Sequence, residues 1–358
     1  RGLMTTNRVV VIPGDGIGPE IVAAAVDVLR AVEKVDSSFT LELEYHEAGA
    51  DQFRRTGVNL SPETLAACRR ADAVLKGPVG LPQVRLPDGT EAGLLGGVLR
   101  NGLDTYANVR PIRLLPGVRA ATRVEPGVID YVIVRENTEG LYASRGRGVA
   151  NDWAASDVLF MTRPGVERVC RFAFELARKR SGAPVDRVQR VTCVDKSNVL
   201  RSFGFFRAIF DEIAALYPEI AADHLYADAA AQALVMDPGR FDVLVMENFL
   251  GDILSDLGGG TIGGIGLCPS GNIGDDSAYF EPIHGSAPSL AGQDRANPVG
   301  QILTGAMLLD HLGQPAAARR IEGAVASVLA SGAIQIEADG CPKEGTRATT
   351  RAIVEENC

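Results

Sequence analysis

Aromatic residues make up only 6% of the chain, with a single tryptophan, and its six cysteines include no C-x-x-C pair. Cys68, Cys170, Cys193, Cys268, Cys341 and Cys358 are scattered, which fits neither a disulfide framework nor a zinc site; reduced thiols in a cytoplasmic setting are the simplest account. No apolar run reaches membrane-spanning length, and the start, Arg1-Gly-Leu-Met4, lacks the apolar core of a signal peptide. Positive charge is in deficit too: 36 Lys and Arg against 45 Asp and Glu leave a formal charge of −9. That balance argues against a sequence-independent grip on nucleic acid or an anionic membrane, so an anionic ligand needs a local cluster of Arg and Lys. Internal repeats and low-complexity tracts are also missing.

What is present suits a globular protein. A chain of 358 residues, 46% hydrophobic, exceeds what one core usually supports, so two lobes are expected. Arg8 to Ile12 reads as a buried strand, and Pro13-Gly-Asp-Gly-Ile-Gly-Pro19 as a turn feeding a helix from about Glu20 to Val35. Its glycines are spaced G-x-G-x-G, not G-x-G-x-x-G, which disfavours the dinucleotide fingerprint and leaves a tight structural turn. Strand-like Leu41 to Tyr45, helix-like Pro62 to Arg70 and strand-like Ala73 to Lys76 continue a β-α-β rhythm, the pattern of a parallel sheet covered by helices.

Three arginines fall at element ends: Arg100 on a helix, Arg110 near the end of a strand, and Arg135 directly after the apolar run Tyr131 to Val134. Each alone reads as a surface charge; together they are a candidate carboxylate clamp, because the guanidinium fork matches that geometry. Asp252 and Asp256 stand four apart after the apolar strand Asp242 to Met246, on one face if 251 to 257 is helical. Two readings stand for the pair: hard oxygen donors for Mg²⁺ or Mn²⁺, or acids favoured by the helix dipole. Lys196 follows a strand, where a surface charge is usual and an enclosed lysine can act as a base. Asp228 opens an Ala-rich helix, where capping is the simpler role. Tyr142 and His284, taken singly, read as a packed ring and a loop-capping imidazole.

Taken together, Ile12-Pro-Gly-Asp-Gly-Ile-Gly-Pro-Glu-Ile21, Arg135-Glu-Asn-Thr-Glu-Gly-Leu-Tyr142, Asp195-Lys-Ser-Asn198, Gly251-Asp-Ile-Leu-Ser-Asp256 and His284-Gly-Ser-Ala-Pro288 resemble the β-decarboxylating dehydrogenases that act on isopropylmalate, isocitrate, homoisocitrate and tartrate or D-malate. The resemblance implies an α/β fold of two lobes with a shared central sheet, distinct from a Rossmann domain. It implies a cofactor-binding first lobe of residues 1–105 and 263–358, and a second lobe of 106–262 that carries substrate, metal and dimer interface. It also implies homodimers in which Lys196 and Asp228 serve the neighbouring copy's site, with Mg²⁺ or Mn²⁺ held by Asp252, Asp256 and the other copy's Asp228. Lys196 is then the base, Tyr142 the proton donor, and Arg100, Arg110 and Arg135 bind the malate-type substrate. Glu281, His284, Gly285, Ser286, Ala287, Asn297 and Asn198 match cofactor positions.

Two departures bear on specificity. Ser289 stands where many NAD-using relatives carry an acid, without the Lys and Tyr common in NADP-using ones, so NAD leads and NADP is the alternative. Leu94 and Leu95 resemble the leucine pair that isopropylmalate enzymes turn to the alkyl group, whereas the 135 to 142 segment is nearer the homoisocitrate and tartrate versions, and Leu115-Pro-Gly-Val118 resembles the tartrate branch. A 3-isopropylmalate-like substrate is the first expectation, with tartrate or D-malate, then homoisocitrate or isocitrate, or a non-catalytic regulatory subunit, as alternatives.

Overall fold

The computed structural model describes residues 5–357; the signal-free start read at Arg1 to Met4, and Cys358, lie outside the described residues. In chain order the elements are β1 (Thr5–Ile12), α1 (Gly18–Val35), β2 (Phe39–Tyr45), α2 (Ala50–Thr56), α3 (Pro62–Arg70), β3 (Ala73–Lys76), α4 (Gly96–Gly102), β4 (Ala107–Arg113), β5 (Asp130–Glu136), β6 (Val149–Ala150), β7 (Ala155–Ser156) and α5 (Arg163–Lys179). They continue with β8 (Arg190–Asp195), α6 (Arg201–Ala214), β9 (Ala221–Tyr226), α7 (Ala227–Met236), β10 (Val243–Met246), α8 (Asn248–Thr261), β11 (Gly271–Ile273), β12 (Ala278–Phe280), α9 (Val299–His311), α10 (Pro315–Ala330) and α11 (Thr346–Glu356). Two compact units result: one comprises residues up to 105, Leu115–Ala121 and 262 onward; the other Tyr106–Leu114 and Thr122–Thr261.

In the first unit β2, β1, β3 and β12 run parallel and β11 joins β12 antiparallel. Val9 to Ile12 and Ala73 to Leu75 are buried as continuous apolar runs, as parallel strands covered on both faces require. Local signals set the helix between them: the Ser61 hydroxyl accepts from Thr64 N at 3.1 Å and caps α3. The glycine turn is a structural hub. Asp15, buried, accepts from Ala50 N (2.7 Å), Asp51 N (3.0 Å) and Gly80 N (2.8 Å), so one carboxylate starts α2 and ties down the loop after β3. Gly16 has φ +58°, and a side chain there would overlap the Ser286 carbonyl. The Leu115 to Val118 run is likewise architectural: Gly117, at φ +80°, lies against the Leu329 carbonyl.

The second unit orders its strands β4-β5-β10-β8-β9, all parallel except β4, which pairs antiparallel with β5. Its sheet is therefore mixed, where the β-α-β rhythm alone suggested a parallel one. Val132 to Val134, Val191 to Val194 and Val243 to Met246 are buried under α5 and α6, whose inner faces carry Val169, Phe174, Phe206 and Phe210. The segment around the only tryptophan is a small hairpin of β6 and β7 with Trp153 exposed. Among the described residues five cysteines are buried thiols outside any disulfide, and desolvation pushes the Cys68 thiol up to about 11. No helix among the described residues is long and apolar enough to cross a membrane.

Candidate active site

The best-built polar cluster lies within the second unit, around Arg135. This arginine is on β5 itself, one position inside the end of an apolar strand, and is only 1% exposed. A guanidinium in that position must find acceptors, because an unpaired buried charge is costly. Helix α8 supplies them: Asn248 Oδ1 accepts from Nε (3.0 Å) and Nη2 (2.8 Å), and Asp252 Oδ1 accepts from Nη1 (2.7 Å). Gly251, between them, lets the arginine stem lie directly on the helix; an added Cβ would sit 2.5 Å from Arg135 Cγ.

Arg110, buried in mid-strand on β4, donates from Nε to Asn108 Oδ1 (2.5 Å) and from Nη1 to Ser255 Oγ (2.6 Å). The same Nη1 lies 3.6 Å from Asp252 and 4.0 Å from Asp256, so one cation faces both carboxylates. Tyr142 Oη donates to the other Asp252 oxygen at 2.7 Å, and its ring meets Phe249 edge-on. Burial, then the Asp252 hydrogen bond, push the tyrosine above its ordinary range. Burial raises the Asp256 carboxyl as well, with Arg110 opposing and the Asp252 charge adding.

Asp252 and Asp256 thus share one face of α8, both partly open to solvent, as their spacing required. Oxygen-only donors of this kind fit Mg²⁺ or Mn²⁺ rather than a thiolate- or imidazole-preferring metal. Two protein oxygens from one chain leave room for further ligands, and no cluster of three His, Cys, Asp or Glu side chains occurs among the described residues.

Lys196 and Asp228 form a separate pair. Asp195, fully buried at the end of β8, is held by Ser197 N (2.8 Å) and by Arg207 (2.7 and 3.1 Å), which presents the next residue outward. Lys196 Nζ donates to Asp228 Oδ1 at 2.8 Å and lies 6.0 Å from the centre of the Tyr226 ring. Asp228 is in the first turn of α7, but Tyr226 occupies the cap position, so the simple capping role is corrected: its side chain serves Lys196, whose hydrogen bond draws the carboxyl below its usual range. Asn198 is exposed in the turn that follows.

The remaining positions lie in the first unit. Glu281 pairs with Lys76, a lysine only 2% exposed, and also accepts from Asn272 Nδ2 at 3.3 Å. His284 is buried with Nδ1 on the Gly285 carbonyl (2.9 Å) and Nε2 without a partner; desolvation lowers its pKa. Ser286 donates to the Gly80 carbonyl, Ala287 is left-handed (φ +36°), and Ser289 is exposed in a short 3₁₀ turn. Asn297 binds the Gly340 carbonyl and caps Val299 N. Arg100 lies half-buried on α4 in this unit, whereas Arg110 and Arg135 share the other. The leucine pair divides: Leu95 is fully buried in the core with Leu99 and Tyr279, which corrects its assignment to the substrate, while Leu94 stays partly open.

Asn248, Ser255, Asn108 and Lys76 were missed from sequence because amides, hydroxyls and a strand-end lysine are common surface residues. The available signal was a charged side chain inside an apolar strand, which obliges neighbours to satisfy it.

Fold and site together define a two-unit α/β protein whose oxygen donors and guanidinium groups suit a small carboxylic acid and a hard divalent cation. The chain belongs to the isocitrate/isopropylmalate dehydrogenase family, whose model matches residues 8–356. That family consists of NAD(P)-dependent, oxidatively decarboxylating dehydrogenases. The chain is 43% identical to the 3-isopropylmalate dehydrogenase of Clavibacter michiganensis, covering 97% of this chain and 98% of that one. It is 44% identical to the corresponding protein of Archaeoglobus fulgidus over 91% and 92%. Among solved structures, isocitrate dehydrogenase from Methylococcus capsulatus superposes with a TM-score of 0.86 at 40% identity, covering 98% of this chain and 99% of that one. A β-decarboxylating dehydrogenase from Thermococcus kodakarensis gives 0.80 at 40% identity over 98% and 96%. The expected family, α/β fold and dehydrogenase class are met.

Proposed function

We propose that this chain, as a homodimer with shared sites, catalyses the divalent-metal-dependent, NAD-linked oxidation and decarboxylation of 3-isopropylmalate. The observation that carries the reading is the Arg135–Asp252–Tyr142 chain of hydrogen bonds, with Asp256 on the same helix face and Arg110 beside both acids. Arg110 and Arg135 bind the carboxylate that is to be lost and hold it while the neighbouring carbon is oxidised. Lys196 of a second copy accepts the proton of the 2-hydroxyl. The C–C bond to the carboxylate then breaks, CO₂ leaves, its electron pair forms the enol, and Tyr142 donates a proton to the enol carbon. Asp252, Asp256 and a second copy's Asp228 would hold the divalent cation, which would supply Lewis acidity at the hydroxyl, and residues from Glu281 to Asn297 would hold NAD, the hydride acceptor. Leu94 supports a branched alkyl substituent over a third carboxylate.

The test is reduction of NAD and NADP, with Mg²⁺ or Mn²⁺, on 3-isopropylmalate, D-malate, tartrate, isocitrate and homoisocitrate. NAD reduction fastest on 3-isopropylmalate is expected; preference for another acid overturns the substrate assignment, and isocitrate is included because a solved relative of 40% identity acts under that name. Lys196→Ala should lose turnover by at least about 100-fold. Mixing Lys196→Ala with Asp252→Ala protein after subunit exchange should restore activity, because one site per mixed dimer is intact; no recovery would place Lys196 outside the neighbouring site.

A further inference from the structure

We propose that Glu247 is a positioning residue that sets the Tyr142 hydroxyl against Asp252, an inference that rests on Tyr142 being the proton donor. Glu247 stands at the junction of β10 and α8 and is 1% exposed. A buried carboxylate needs donors on both oxygens. One oxygen accepts from Leu250 N at 3.1 Å, filling an orphan donor in the first turn of its own helix. The other accepts from Leu141 N at 2.8 Å, the backbone amide directly before Tyr142. The approach is possible only because residue 140 is glycine: its φ is +77°, and a side chain there would overlap the Glu247 carboxylate. Asn248 adds a second tie from the same helix, donating from Nδ2 to the Glu139 carbonyl at 3.1 Å.

The segment that presents Tyr142 is therefore fastened twice to one rigid element. Its backbone is held at Glu247 and its hydroxyl at Asp252, five residues along the same helix. With backbone and hydroxyl both referred to α8, the proton-donating oxygen keeps its distance from the carboxylate that shares the site. Without Glu247 the Leu141 amide loses its acceptor, and the tyrosine is left to its hydroxyl bond, its ring packing and the more distant Asn248 tie at Glu139.

The experiment is a double-mutant cycle on the full-length protein with Glu247→Ala, Glu247→Gln and Tyr142→Phe, using whichever acid of the panel the wild type turns over. Glu247→Ala should lower kcat by about 10- to 100-fold with KM changed less than about threefold. In the Tyr142→Phe background it should cost less than about threefold more, since the group it positions is gone. Glu247→Gln, whose amide oxygen still accepts from Leu141, should recover most of the loss, and it stands in if the alanine variant does not fold. Hydrogen exchange at Leu141 should quicken in Glu247→Ala whether or not turnover is measured, so a wrong assignment of Tyr142 is separable from a wrong role for Glu247. Equal losses in both backgrounds, or unchanged exchange at Leu141, would overturn the proposal.

Discussion

Gly251→Ala sets two effects of opposite sign against each other at the centre of the site. Replacing glycine by alanine inside α8 favours the helix by about 1 kcal/mol. Against that gain, the new methyl would lie 2.5 Å from Arg135 Cγ and 2.7 Å from its Cβ. Contacts that short cannot persist, and the arginine stem has nowhere easy to move: it is 1% exposed and its head is fixed by Asn248 and Asp252. Overpacking of this kind costs about 1–3 kcal/mol, and weakening one charged hydrogen bond adds about 1.5–3 kcal/mol. Overlap therefore wins, with a net loss of roughly 1.5–5 kcal/mol. At roughly 2–4 °C per kcal/mol for a unit of this size, the melting temperature falls by several degrees. Because the displaced guanidinium also orients Asp252, kcat/KM should drop by about 10- to 100-fold. Thermal melting and steady-state kinetics on the same preparation check both. A variant that melts higher with activity intact would show that propensity prevails and that Arg135 is not pinned as described.

The leucine pair offers a second contrast: Leu95→Ala should cost about 2–5 kcal/mol through a core cavity, while Leu94→Ala should leave the melting temperature nearly unchanged and lower preference for 3-isopropylmalate over D-malate by about 10-fold in competing kcat/KM measurements. Asp15→Ala strands three backbone donors and should destabilise by about 3–5 kcal/mol in denaturant melts, with Asp15→Asn intermediate. His284 is held neutral by burial, so the unfolded chain takes up its proton at higher pH than the folded one. Its contribution to stability is complete above the ordinary histidine range and is lost as pH falls through the lowered folded value. His284→Gln should therefore flatten the acid side of the melting-temperature profile relative to wild type, measured from neutral pH downward.

Legibility in the sequence followed how local each cause is. Helix α3 was readable to the residue because its start signals, Ser61 at the cap and Pro62 at the first position, are immediate neighbours in sequence. Helix α2 was missed because its first amides are satisfied by Asp15, far earlier in the chain. Strands β11 and β12, three residues each, were not legible, since short strands without alternation resemble turns. Arg135 was placed just beyond its strand because a charge reads as a boundary; its acceptors on α8, more than a hundred residues away, are what allow it inside. The i,i+4 acids were legible as a pair, but Tyr142 and the two arginines around them were joined only through family motifs, because spacing carries no information across such separations.

The way the first unit is assembled from pieces of chain also sets an order of synthesis. Strand β3 finds its parallel neighbour β12 only after some two hundred intervening residues have been made, and α1 packs against α9 and α11 later still. The second unit, by contrast, draws nearly all of its sheet from one continuous stretch, Thr122–Thr261. On the ribosome β1, β2 and β3 can pair with one another early, but the middle of the chain can close before β3 meets its outer neighbour β12. A nascent first unit must wait with one edge of β3 unpaired, a period in which chaperone contact is most useful.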